Sequence, residues 1–176
     1  MKTITIALTA LSLFIFASCK QEQTKIHKNP TPVAEVKLDS ALFNTQLEKG
    51  ISVSEARKLK SGDEVTVSGK ILGARSVFVD GRASFIIGNP DVLISCDLKP
   101  GDNCPIPWDV CCEGKETIAS NTVSIQVVDE SGKVLKTGLK GKNGLKELAL
   151  VTIKGTVAPQ SSEATTIINA SAIQVN

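Results

Sequence analysis

Val65-Thr66-Val67-Ser68-Gly69-Lys70-Ile71 and, much later in the chain, Val151-Thr152-Ile153-Lys154-Gly155-Thr156-Val157 match apolar residue on apolar residue and glycine on glycine. Each alternates apolar and polar side chains, the period of two that buries one face of a strand. A glycine inside such a strand removes a side chain where the sheet bends or another backbone comes close. Two strands of this kind predict a sheet that curves sharply and closes. They are not a solenoid repeat, because only two copies exist and they lie far apart.

Working outward, the chain between the two offers shorter strand signals. Residues 83–87 (ASFII) and 123–128 (VSIQVV) are rich in β-branched and aromatic residues. Asp129-Glu130-Ser131-Gly132 predicts a turn into Val134-Leu135. Residues 138–146 form a Gly/Lys/Asn connection, either mobile or holding one helical turn. The closing strand spans residues 165–175. There Ile167, Ile173 and Val175 share one parity while Ile168, Ala170 and Ala172 share the other, which predicts a bulge. Five or six short strands with little helix predict a mainly β fold, a small Greek-key barrel of the OB type, with a β-sandwich as the alternative.

Upstream, residues 39–60 carry weaker, helical signals. Ser52 and Glu55 have the capping-box spacing, and Ile51 is placed as a staple against Ala56. A short helix running through Leu59 would end at Ser61-Gly62-Asp63. A second short helix is expected around residues 41–47.

The first 18 residues have one cation, Lys2, an apolar run over residues 4–16, and the small pair Ala17-Ser18. That run is too short for the ~20 residues a membrane span needs, so it predicts a secretory signal. Cys19 follows at once, and FASC resembles the lipobox of bacterial lipoproteins. The resemblance implies lipid on the Cys19 sulfur and cleavage before it, placing the protein on a membrane of the bacterial cell envelope. Each buried methylene would contribute about 0.8 kcal/mol to anchoring. Residues 19–38 are polar and carry Pro30 and Pro32, which predicts a disordered tether; residues 39–176 then form a single barrel domain.

Composition narrows the chemistry. A net charge of +2 gives no electrostatic reason to expect a nucleic-acid partner. There is no tyrosine, and the single histidine, His27, falls in the tether. A Ser-His-Asp or Cys-His arrangement would need that residue to leave the tether, so no catalytic residue is assigned and no enzyme is expected.

The four remaining cysteines, Cys96, Cys104, Cys111 and Cys112, are spaced C-x7-C-x6-C-C. In an oxidising compartment this first predicts disulfides. Four cysteines allow three connectivities. Since a Cys111–Cys112 bond closes a strained ring, each of that pair is expected to bond separately to Cys96 or Cys104, at ~2–3 kcal/mol per bridge. The alternative is a thiolate site for Zn²⁺ or Cu(I). Against it, the C-x2-C pairs of zinc ribbons are missing, and adjacent cysteines poorly supply two corners of one tetrahedron. A third reading is redox chemistry of the vicinal pair. Asp97, Asp102, Asp109 and Glu113 match no calcium loop and are expected to be solvated. Pro105 and Pro107 make a stiff arm that either tucks in Trp108 or presents it; with Asp109 they form a candidate partner surface.

GDEVTVSGKI, FVDGRASFII, GDNCPIPWDVCCE, SIQVVDESGKVLKTGLKG and VTIKGTV together resemble an uncharacterised family of exported bacterial (lipo)proteins with an OB-like barrel and a C-P-x-P-W-D-x-C-C signature. Val110 stands where an aromatic is expected. The resemblance implies fold and envelope location, and carries over no catalytic residue. The functional expectation is a lipid-anchored, non-catalytic binding or scaffold module without a cofactor, contacting another envelope protein or a saccharide. The alternative is a thiol-based metal-binding or redox protein using the four-cysteine loop.

Overall fold

The computed structural model describes residues 38–101 and 103–176. In chain order the regular elements are β1 (Ile51–Ser52), α1 (Val53–Ala56), β2 (Glu64–Lys70), β3 (Ser84–Gly88), α2 (Lys115–Ser120), β4 (Thr122–Gln126), β5 (Leu150–Val157) and β6 (Ile167–Val175), with three short 3₁₀ turns. Residues 1–37, which include the expected leader, Cys19, His27 and nearly all of the expected tether, lie outside the described residues.

The two glycine-bearing strands are the seam that closes the sheet. Strands follow the order β1-β2-β3-β4-β6-β5, and β5 returns to pair with β2. Without β1, this is a five-stranded ring in which β4 and β6 run parallel and every other pair is antiparallel. That is the connectivity of a small OB-type barrel, and the closed ladder excludes the sandwich alternative. Because the seam is antiparallel, the glycines do not face each other: Gly69 lies opposite Val151 and Gly155 opposite Val65, about a centre at Val67 and Ile153.

Each glycine is needed for a close approach. A Cβ on Gly155 would stand 2.2 Å from the Asn169 carbonyl oxygen, and one on Gly69 would stand 2.9 Å from the Val53 side chain and 3.0 Å from the Gly88 carbonyl oxygen. The register between β5 and β6 shifts at Lys154/Gly155, so Ser171 is the extra residue of the bulge that the parity change predicts. Its hydroxyl donates to the Lys154 carbonyl.

Inward-facing Val67, Phe85, Ile87, Ile125, Ile153 and Ile168 are fully buried and form the centre of the core. The ring of Phe85 packs 5.7 Å from that of Phe78. Residues 138–146 hold a single 3₁₀ turn, Lys142–Gly144, pinned by the buried Leu139 and Leu145. The Asp129 turn also forms as expected, with its carboxylate accepting from the backbones of Ser131 and Lys133.

The N-terminal elements are shorter than expected. Ser52 and Glu55 make both bonds of the capping box, yet α1 ends at Ala56, with residues 57–58 in a turn. Ile51 is exposed and pairs in β1 alongside Val67, an edge strand too short to read from its pattern. The second expected helix is only a 3₁₀ turn, Ser40–Phe43, with Leu42 buried.

Candidate metal centre

The cysteine stretch fills the connection from β3 to β4. Leaving β3, the chain turns at the buried Asn89, whose side chain donates to Ser54 Oγ. It then passes the buried Leu93 and Ser95 into a 3₁₀ turn, Cys96–Leu98. The returning limb lies alongside: Cys96 N–H donates to the Asp109 carbonyl at 2.9 Å and Asp97 N–H to the Pro107 carbonyl at 3.0 Å.

That returning limb is tied to the barrel by an apolar anchor. Leu72, Leu93 and Val110 form a second buried cluster, with Trp108 and Ile118 packed against it. Trp108 also touches the main core, so the indole joins the two clusters. Its Nε1–H donates to the Arg75 carbonyl at 3.1 Å, and the Lys140 ammonium sits 5.8 Å from the ring centroid. Gly73 N–H donates to the Trp108 carbonyl. Of the candidate partner surface, Trp108 is therefore half-buried and tied in, Asp109 is half-buried, and Pro105 and Pro107 are exposed. Val110 is fully buried where an aromatic was expected, its small side chain fitting beside Leu72 and Leu93.

With the two limbs held so, three sulfurs converge. The Sγ atoms of Cys96, Cys104 and Cys111 all lie within 4.8 Å of one another, and Cys96 and Cys111 are 3.8 Å apart. A disulfide needs about 2.05 Å, so no pair stands at bonding distance. A metal with bonds of about 2.3 Å to sulfur holds its ligands about 3.8 Å apart in a tetrahedron and about 4.0 Å apart in a trigonal plane. The Cys96–Cys111 separation meets that requirement.

Burial grades across the group. Cys96 is buried, Cys104 half-buried and Cys111 exposed, so the cluster opens to solvent on one side. Cys112, also exposed, interacts with Cys111 without joining the three mutually close sulfurs. Cys104 Sγ also contacts the Ile106 carbonyl at 3.6 Å. The Cys111 thiol is held above its ordinary pKa. The Cys96 contact is the largest influence and acts downward, but desolvation and the neighbouring thiols of Cys112 and Cys104 together outweigh it. A metal binding here must displace protons from the sulfurs.

Two acids of the loop are otherwise engaged, and Asp97 is exposed. Glu113 pairs with Lys99 at 2.9 Å, and Asp109 Oδ1 accepts from Val110 N–H. The Glu113 contact holds the Lys99 ammonium above its usual range, with Cys112 and Cys96 adding to it against desolvation. Asp102 lies outside the described residues. Among the described residues, only the three cysteines lie close enough to one another to hold an ion.

A cleft of about 560 Å³ lies elsewhere, lined by Gly50, Ser52, Glu55, Ser68 and Thr152 among others. Of its lining, Ser52 and Glu55 bond to each other in the capping box and Ser68 bonds to Thr152 at 3.0 Å, while Lys49 and Asp91 also border it.

No protein-family model matches the chain, and no curated protein matches it. What fold and site define is an OB-type barrel carrying a thiol cluster on its β3–β4 connection. Sequence reasoning missed α2, which leads the loop back into β4, and the Lys99–Glu113 pair that clasps the loop's two ends. The first had a faint signal in Gly114 ahead of Lys115-Glu116-Thr117; the second had none, because the pair is made by the fold.

Proposed function

We propose that this chain is a lipid-anchored protein of the bacterial cell envelope whose four-cysteine loop binds a soft metal ion. One observation carries the reading: Cys96, Cys104 and Cys111 present three sulfurs within 4.8 Å of one another, and Cys96 and Cys111 stand at the 3.8 Å that two ligands of one ion take. The anchor rests on the leader and the FASC motif at Cys19, and the resemblance to exported bacterial proteins supports the same address. The barrel then serves as the non-catalytic support that presents the loop.

A second reading draws on the same sulfurs. In an oxidising space Cys96 and Cys111 are near enough to close with a small movement, and two disulfides would staple the loop of a binding module for an envelope protein or saccharide. Intact mass separates the two. Protein extracted from membranes in detergent under argon is alkylated with and without prior reduction, and its metal content is measured. The metal reading expects one ion per chain and, once the ion is chelated, four alkylatable thiols without reductant. Two disulfides and no metal would overturn it.

A further inference from the structure

We propose that the ion is copper(I), held in three-coordinate geometry by Cys96, Cys104 and Cys111, with Cys112 outside the coordination sphere; this rests on the metal reading above. Three features of the site point to it.

The first is ligand number. Three sulfurs are mutually within 4.8 Å, and Cys112 is not among them. Consecutive residues cannot easily turn both side chains onto one ion, so Cys111 excludes Cys112. The second is ligand type. All three donors are thiols; of the neighbouring carboxylates, Glu113 is engaged by Lys99 and Asp109 by Val110 N–H, and Asp97 does not join the close group. Soft sulfur donors select among Cu(I), Zn²⁺ and iron–sulfur clusters. A structural zinc site completes a tetrahedron with a fourth protein ligand, and an iron–sulfur cluster also calls on four ligands. A closed-shell monovalent ion such as Cu(I) is satisfied by three thiolates. The third is access. The buried Cys96 marks the inner end and the exposed Cys111 the outer, so a donor from another molecule can reach the ion from the Cys111 side. Binding is coordination without electron transfer. Three thiols give up three protons, three sulfur–copper bonds form, and copper enters and stays monovalent.

The test titrates the full-length protein anaerobically with Cu(I) against a coloured Cu(I) chelator, and in parallel with Zn²⁺. Expected is one Cu(I) per chain, with X-ray absorption reporting three sulfur neighbours. Cys96→Ser, Cys104→Ser and Cys111→Ser each weaken binding by about a hundredfold or more, whereas Cys112→Ser changes it by less than about threefold. Urea midpoints and circular dichroism of each variant show that the barrel is intact, and X-ray absorption of the wild type gives the ligand count without any variant. If Zn²⁺ binds in preference, with four sulfur neighbours and equal losses for all four variants, the copper inference falls while the metal reading stands. If neither ion binds the reduced protein, both fall.

Discussion

Strands β2 and β5 meet along seven paired positions, from Glu64 opposite Thr156 to Lys70 opposite Leu150. Among the described residues, the stretch from Cys96 to Cys112 has no ladder beyond one isolated bridge, Asp109 to Gly73. It hangs on a few points: two backbone bonds between its limbs, the bond from Gly73 N–H to the Trp108 carbonyl, the Trp108 indole, the buried Val110 and the Lys99–Glu113 pair. The barrel spreads its stability over many buried apolar contacts, so its shape is set by packing. The loop concentrates its shape in a few contacts around three sulfurs. Elements of the second kind open at low cost unless a ligand or crosslink holds them, which makes the sulfurs the natural place for such a hold.

Substitutions sharpen the contrast. The largest effect is expected at the barrel centre: Phe85→Ala removes a fully buried ring and should cost about 3–5 kcal/mol in urea unfolding. A loss below about 1 kcal/mol would break the view that packing holds the barrel. Next, Gly155→Ala pushes a methyl against the Asn169 carbonyl at the β5–β6 bulge, and should cost about 1–3 kcal/mol. Trp108→Phe keeps most of the apolar contact but loses the bond to the Arg75 carbonyl, at about 1 kcal/mol. Limited proteolysis should place its effect in the loop rather than the strands.

The smallest effect is expected at the helix cap, where Ser52→Ala costs about 1 kcal/mol or less. It carries a pH signature. The Ser52 side-chain and backbone bonds hold the Glu55 carboxyl below its ordinary value of 4.5, so the stability they contribute is fully present above that pH and lost as pH falls through the lowered value. The gap between wild type and Ser52→Ala should therefore narrow in acid, as read from thermal midpoints at neutral pH and near pH 3. A gap that widened would contradict the cap.

The same contrast explains what could be read in advance. Strand alternation and mid-strand glycines are local signals, so the ring, its seam and the β6 bulge were legible from residues 65–71, 151–157 and 165–175. The pairing direction was not: the repeats align in parallel as text, while in the fold Gly69 faces Val151 and Gly155 faces Val65. Strand β1 was invisible because two residues show no period, and α1 stopped short because its four residues are held by a cap and two buried side chains, Val53 and Ala56. For the site, the cysteine positions were plain, but their grouping was not. The selection of Cys96, Cys104 and Cys111 over Cys112 arises from two limbs brought side by side by Cys96 N–H and Asp97 N–H, and by Val110 and Trp108 seating the return limb. Spacing along the chain carries none of that.

Hydrogen exchange of the full-length protein, read by mass spectrometry with and without one equivalent of Cu(I) under argon, tests the central claim most directly. Amides of residues 93–113 should exchange quickly in the metal-free reduced protein and slow markedly on loading, while those of β2, β5 and β6 remain protected and unchanged. A loop whose exchange ignores the ion, or a barrel whose protection depends on it, would contradict the division between a self-supporting barrel and a metal-organised loop.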